Sequence, residues 1–188
     1  MVYSSRNTLE DSIRKLLMFY KVEGEALENT PSRYFEALKE ALSGYDHTLD
    51  ELATSFEHDG LDAMVICRNI QFYSLCEHHV FPWWGVAHIG YIPNGRVLGL
   101  SKMPRVVEAF SRRFQLQERM TKQIADWMET SLKPLGVGVI VEGVHLCVRM
   151  RGIRSQEAEM VTSEMRGVFR KEPEARQEFM DMVRKNGK

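Results

Sequence analysis

A cysteine and two histidines stand close together in the segment Ser74-Leu75-Cys76-Glu77-His78-His79. Cys76 and His79 are three residues apart, a spacing at which one tight turn can direct a thiolate and an imidazole at the same metal ion. The preceding stretch, 64–72, has a period of two and predicts a β-strand that leads into Cys76. Two ligands do not complete a metal site, so other parts of the chain must supply the remainder.

The valine-rich stretch 137–150 contains the candidate third ligand, Cys147. The stretch predicts one strand, in whose second half four apolar side chains share the core face: Val144, Leu146, Val148 and Met150. The opposite face then carries an imidazole, a thiol and two guanidiniums, from His145, Cys147, Arg149 and Arg151. Three protein ligands and a water form an open, catalytic zinc site. A closed structural site needs a fourth ligand, either His78 or His145, and the spacing does not decide between the two kinds of site.

Apolar residues at helical spacing predict the helices of the chain. One helix is expected over 8–21, and a second is expected to begin at Thr30-Pro31, with Thr30 as N-cap, and to stop near residue 44. Three further helices are expected to begin at Ser101, Gln117 and Pro173.

Strands are predicted at 86–92 and, as a possible edge strand, at 161–163. The sequence Pro93-Asn94-Gly95-Arg96 has the composition of a hairpin turn, after which residues 97–100 are expected to continue the sheet. His88 lies within a predicted strand and is expected to be packed or hydrogen-bonded instead of binding a metal.

Positive charge gathers at two predicted helix starts. Lys102 and Arg105 lie in the first turn of the Ser101 helix, where cations oppose the dipole. Together with free backbone N–H groups they suit an anionic phosphate, although a solvated basic face explains them equally well. Arg33 lies in the first turn of the predicted Thr30 helix, and a solvated surface arginine is the simpler interpretation of it.

Composition excludes several classes of protein. The 188 residues carry a net charge of −1, without the basic surplus expected of a nucleic-acid-binding protein. No apolar run is long enough to span a membrane, and the N-terminus lacks a signal-peptide pattern. Three cysteines, an odd number, are expected to be reduced thiols in the cytoplasm. We expect an N-terminal helical region over 1–59, followed by one domain over 60–188.

From about Thr30 to its C-terminus the chain resembles the GTP cyclohydrolase I family. Each matching stretch is weak alone, but together they keep the family's order and spacing. The stretches are Cys76-Glu77-His78-His79, Tyr91-Ile92-Pro93, Gly99-Leu100-Ser101-Lys102, Gln117-Glu118-Arg119, His145-Leu146-Cys147 and Arg151-Gly152.

The resemblance implies an α+β tunnelling fold, in which antiparallel sheets are backed by helices and a helical segment precedes them. Subunits of this family close a β-barrel as a toroidal homodecamer, with active sites at subunit interfaces. The implied reaction converts GTP and water to formate and 7,8-dihydroneopterin triphosphate, the first step of pterin, folate or deazapurine biosynthesis. The implied cofactor is Zn²⁺, and residues 60–188 would form the catalytic domain.

The resemblance also implies a role for individual residues. The zinc ligands match Cys76, His79 and Cys147. The catalytic residues match His78 and His145, with Ser101 and Gln117 beside the ribose and purine. The substrate contacts match Glu118 for guanine and Lys102, Arg105, Arg151 and, from a neighbouring subunit, Arg33 for the triphosphate.

Two departures from the family pattern stand out. Glu36 occupies a position where some members have lysine, and Trp83-Trp84 stand where smaller residues are common. Two other functions compete with the implied one. A related hydrolase would stop at the ring-opened formamide or act on another purine nucleotide, and a non-catalytic zinc-stabilised module would bind GTP without turnover.

Overall fold

The computed structural model describes residues 3–58, 60 and 63–184, with side chains from residue 6 onward. The chain divides into two compact units, Met1–Ser43 and Gly44–Lys188. This division lies earlier than the predicted boundary after residue 59, because the short 3-10 helix Leu49–Leu52 places Leu52 in the core of the second unit. Residue 59 lies outside the described residues, and the assignment of 60–188 as a catalytic domain stays a prediction.

The first unit consists of two helices, α1 (Tyr3–Phe19) and α2 (Gly24–Ala41). The expected helix start at Thr30-Pro31 is wrong, because α2 begins at Gly24 and contains Pro31 in its interior. A proline there leaves the carbonyl four residues earlier without its backbone donor. That carbonyl, on Leu27, accepts a hydrogen bond from Arg14 Nη1 at 3.0 Å, which explains how the helix continues through the proline.

The second unit contains a five-stranded sheet with the strand order β5-β2-β3-β6-β7. Its strands are β2 (Val65–Cys76), β3 (Pro82–Ile92), β5 (Phe114–Gln115), β6 (Gly136–His145) and β7 (Met160–Gly167). Neighbouring strands are antiparallel except β2 and β5, which are parallel. The predicted strand at 86–92 is part of β3, and the predicted edge strand at 161–163 is confirmed as part of β7.

The strand expected to continue the sheet after the Pro93–Arg96 turn does not do so. β4 (Arg96–Leu98) instead pairs with β1 (Ser55–Glu57) in a separate two-stranded sheet. Both edges of β3 are already occupied by β2 and β6, so a hairpin partner has no place there.

β2 changes register between Cys67 and Ile70, where Asn69 has a φ of 59° and forms a bulge. The backbone N–H of Asn69 donates to Nδ1 of His88 at 3.3 Å. His88 is buried, and the expectation of a packed, hydrogen-bonded histidine is confirmed. Residues 61 and 62, near the expected start of the strand, lie outside the described residues.

Helices cover the sheet in the second unit. They are α3 (Lys102–Ser111), α4 (Gln117–Leu132), α5 (Leu146–Arg149), α6 (Val168–Lys171) and α7 (Pro173–Arg184). α3 and α4 share the main core with the sheet, and Phe169 and Phe179 anchor a smaller cluster with Ile140. The expected starts of α3, α4 and α7 are confirmed. None of the described helices is long and apolar enough to cross a membrane.

The chain after His145 departs from the predicted strand. β6 ends at His145, and Leu146–Arg149 form one helical turn. Met150, expected on the core face, has an exposed fraction of 56%. The alternation of residues 144–150 between a core face and a polar face is therefore wrong beyond His145.

Candidate active site

Two thiols and one imidazole converge at the end of the central sheet. The possible ligand atoms of Cys76, His79 and Cys147 all lie within 4.8 Å of one another. Cys76 Sγ and His79 Nδ1 are 3.9 Å apart. Ligands bound to one tetrahedral zinc by sulfur and nitrogen are about 3.6 Å apart at typical bond lengths. The spacing and the donor types therefore fit a zinc ion, and His78 and His145 are not members of this group of three.

A short turn between β2 and β3 places Cys76 and His79. The backbone N–H of Cys76 donates to the carbonyl of Phe81 at 2.9 Å, and the N–H of Val80 donates to the carbonyl of Cys76 at 2.8 Å. Val80 has a φ of 58°, a conformation in which a β-branched residue is strained. The two candidate ligands thus belong to one tightly closed turn, as their spacing predicts.

Cys147 reaches the same point from β6. β6 ends at His145, and the helical turn α5 brings Cys147 to the two ligands of the β2–β3 turn. Burial raises the pKa of the Cys147 thiol, the neighbouring Cys76 raises it further, and Arg151 opposes both effects. Arg151 therefore lies close enough to the Cys147 thiol to favour its ionised form, which is the form that binds a metal.

His145 is held from two sides. Its Nε2 atom lies 2.9 Å from Gln117 Oε1, and its ring stacks on that of Trp83 with the centroids 4.7 Å apart. The amide nitrogen of Gln117 donates to the carbonyls of Val141 and Met160, at 2.9 and 2.8 Å. The amide oxygen therefore faces the imidazole, and the Nε2 atom of His145 carries the hydrogen.

Glu118 follows Gln117 in the first turn of α4 and is exposed. Burial lowers the pKa of His145, and the carboxylate of Glu118 partly opposes this effect. The two neighbouring side chains of α4 thus point in different directions. Gln117 is buried against the sheet, and Glu118 is accessible to a ligand.

The candidate phosphate-binding residues lie on three elements. Ser101 is the N-cap of α3 but makes no side-chain capping hydrogen bond, so its hydroxyl is not used by the helix. Lys102 and Arg105 follow in the first turn, and Lys102 Nζ donates to the carbonyl of Glu51 at 3.3 Å. Arg151 is exposed just after α5. Arg33 belongs to the N-terminal unit, where it forms an ion pair with Glu25 at 2.6 Å.

The turn between β2 and β3 that carries Cys76 and His79, called the metal turn below, is joined to α4 by an ion pair. Neither member of this pair was among the site residues predicted from the sequence. Arg119, on α4, pairs with Glu77, the residue between Cys76 and His78. Arg119 Nε also donates to Gln115 Oε1 at 2.7 Å. Glu77 and Arg119 both lie inside stretches that match the family, which was the only sign in the sequence that they belong to the site. Their contact with each other is visible only in the folded chain.

A protein-family model described as GTP cyclohydrolase I matches residues 9–184. The chain belongs to the GTP cyclohydrolase I family. Family membership confirms the resemblance seen in the sequence and identifies the chain as an enzyme.

Relatives named GTP cyclohydrolase 1 match over most of their length. The protein of Methylococcus capsulatus is 49% identical, over 86% of this chain and 88% of its own. The protein of Coxiella burnetii is 42% identical, over 95% of this chain and 99% of its own. The protein of Gloeobacter violaceus is 45% identical, over 96% of this chain and 87% of its own. Among solved structures, an archaeosine synthase QueF-Like in its apo form aligns with a TM-score of 0.47 at 18% identity, over 55% of this chain and 93% of that one.

Proposed function

We propose that this chain is a zinc-dependent GTP cyclohydrolase I that converts GTP and water to formate and 7,8-dihydroneopterin triphosphate. The observation that carries the proposal is the convergence of Cys76, His79 and Cys147 within 4.8 Å. A three-ligand site leaves a coordination position for water, as catalytic zinc sites do. A bound zinc ion would supply the activation of water for attack on carbon 8 of the purine.

The residues of α4 and β6 would recognise the base and move protons. The exposed carboxylate of Glu118 is an acceptor for the donor edge of guanine, and adenine would leave it without a partner. The Nε2–H group of His145 donates a hydrogen bond to Gln117. Nδ1 is therefore the His145 atom that would exchange a proton with the purine. His78 and Ser101 are proposed to move protons during the later rearrangement of the ribose and closure of the new ring.

The first turn of α3 would bind the triphosphate. Lys102 and Arg105 place two positive charges in the first turn of α3. The charges carry this proposal, because the Lys102 N–H already donates to the carbonyl of Gly99 at 2.9 Å and Pro104 has no N–H. Arg151, which already interacts electrostatically with Cys147, would hold the phosphates near the metal centre. Arg33 of a neighbouring subunit is proposed to complete the site. Glu36, at the position where some members have lysine, pairs with Arg6 at 3.0 Å.

The proposal includes the assembly and setting of the family. The subunits are proposed to form a toroidal homodecamer with the tunnelling fold and to act in the cytoplasm, without nucleic-acid or membrane partners. The product would enter a pterin, folate or deazapurine route.

The decisive experiment supplies GTP to the purified, zinc-loaded protein and measures formate and the fluorescent oxidised pterin. Both products are expected. Cys147→Ser is expected to lose zinc, whereas His145→Ala is expected to retain zinc and lose turnover. Mass spectrometry distinguishes the full reaction from one that stops at the ring-opened formamide. Tight GTP binding without either product would contradict the proposal.

A further inference from the structure

Trp83 and His145 form the closest stacked ring pair in the region of the candidate site. The two residues are direct cross-strand partners on β3 and β6. Their ring centroids are 4.7 Å apart, and the ring planes differ by only 7°. Cross-strand neighbours on one sheet face are close enough to fix each other's side-chain orientation.

The indole ring is itself held firmly. Trp83 has an exposed fraction of 0%, and its ring forms a T-shaped contact with Phe72, with the centroids 5.1 Å apart at an interplanar angle of 74°. A fully buried aromatic ring in such contacts has little rotational freedom. It therefore presents a fixed flat surface to His145.

Hydrogen bonding does not explain this tryptophan. Within the described part of the chain, the buried Nε1 atom of Trp83 has no hydrogen-bond partner. An unpaired buried donor opposes folding, so the benefit of the residue must come from its ring. The ring face toward His145 is the contact that a smaller aliphatic side chain would not reproduce.

We propose that Trp83 is a positioning residue for His145. The indole face fixes the plane of the imidazole, and the hydrogen bond from His145 Nε2 to Gln117 Oε1 fixes the rotation of the ring within that plane. Together they direct Nδ1, the nitrogen not used by Gln117. The inference rests on the proposed function, because the proton transfer that needs this orientation belongs to that reaction.

Two substitutions separate a flat surface from apolar volume. Trp83→Phe keeps an aromatic face and removes the unpaired donor, whereas Trp83→Leu keeps an apolar side chain without a flat face. We expect Trp83→Phe to have a kcat close to that of the wild type. We expect Trp83→Leu to lower kcat by about tenfold to ~10²-fold at an unchanged KM, because misplacing a catalytic group by about 1 Å has effects of that size. If Trp83→Leu does not assemble, Trp83→Met replaces it in the comparison.

A measurement that does not depend on turnover completes the test. In protein with isotope-labelled histidine, the ring current of a stacked aromatic side chain shifts the His145 ring protons upfield. This shift is expected in the wild type and Trp83→Phe and is expected to be lost in Trp83→Leu, with His145→Ala identifying the signal. Equal kcat values for the Phe and Leu variants, or a loss that appears only in KM or zinc content, would overturn the inference. Failure of the proposed function is seen separately, as absence of products from the wild type.

Discussion

A Cβ atom on Gly143 would lie 2.3 Å from the side-chain oxygen of Gln117. This is the oxygen that accepts the hydrogen bond from His145. The close approach shows that Gln117 reaches His145 across a position on β6 where a side chain is missing.

Gly143→Ala is expected to push Gln117 away from His145 and to lower both stability and kcat. Overpacking of this kind costs about 1–3 kcal/mol in the free energy of unfolding. Chemical denaturation and steady-state kinetics measure the two effects. Gly99→Ala is the matched control for stability, since its added Cβ would meet its nearest neighbour, Phe56, at 3.5 Å, an ordinary contact. Unchanged stability and kcat in Gly143→Ala would contradict the steric argument.

Arg119→Ala is expected to weaken zinc binding without removing a ligand. Arg119 joins α4 to Glu77 in the metal turn and to Gln115 Oε1, so its loss frees the turn that carries Cys76 and His79. Substitution of residues that orient metal ligands typically lowers metal affinity by about 10- to 100-fold. Zinc competition with a chelator measures the change. Lys122→Ala, which removes an exposed ion pair with Asp126 on the same helix, is the control, and equal zinc retention by both variants would reject the prediction.

Val80→Asn is expected to stabilise the protein by about 1 kcal/mol, because asparagine tolerates the left-handed conformation that costs other L-residues about 1–2 kcal/mol. Val80 has a φ of 58° between the candidate ligand His79 and the start of β3, and its side chain is exposed. Replacing this side chain therefore removes little buried apolar surface. Thermal and chemical denaturation of the zinc-loaded protein provide the measurement, with Val161→Asn on the exposed face of β7 as control. A lower stability of Val80→Asn would show that the strained backbone is not the dominant contribution.

His88 is expected to make stability depend on pH. Burial lowers its pKa, Arg68 lowers it further, and Glu142, 3.8 Å away, partly opposes them. Its folded pKa is thus below the unfolded value of about 6.5, so the unfolded state binds the proton more readily. The contribution of neutral His88 is complete above that unfolded value and is lost as pH falls through the folded pKa.

Denaturation at pH 8 and at pH 5.5 measures this effect in the wild type and in His88→Asn. Asparagine provides an oxygen acceptor for the Asn69 N–H but does not titrate. The decrease in unfolding free energy between the two pH values is expected to be smaller in His88→Asn. Both proteins share the metal centre, so the difference isolates His88. Equal decreases would assign the pH dependence to other groups.

Local sequence patterns predicted the parts of the site that depend on local structure. The spacing of Cys76 and His79 predicted one turn that brings both side chains together, and the structure confirms it. Cys147 joins them as predicted, but by a helical turn instead of a strand. A period of two over a few residues does not reveal where a strand ends, so the grouping was right although its expected geometry was wrong.

Relationships that depend on distant pairing could not be read from the sequence. Pro31 lies inside α2 because Arg14, on another helix, satisfies the carbonyl that the proline leaves free. β4 leaves the main sheet because β6, far along the chain, occupies the edge of β3. The stacking of Trp83 on His145 requires the same strand register, and the sequence showed Trp83 only as a departure from the family pattern.

The candidate metal centre draws on chain segments that meet only after long-range assembly. Cys76 and His79 close the β2–β3 connection, whereas Cys147 arrives from β6, and β3 stands between these strands. A one-residue slip between β3 and β6 would turn the end of β6 to the opposite side of the sheet. Tight zinc uptake therefore reports correct folding, since a mispaired chain offers the ion two donors instead of three. On this geometry the three donors meet only after β3 and β6 have paired in the correct register, so metal capture would follow sheet formation.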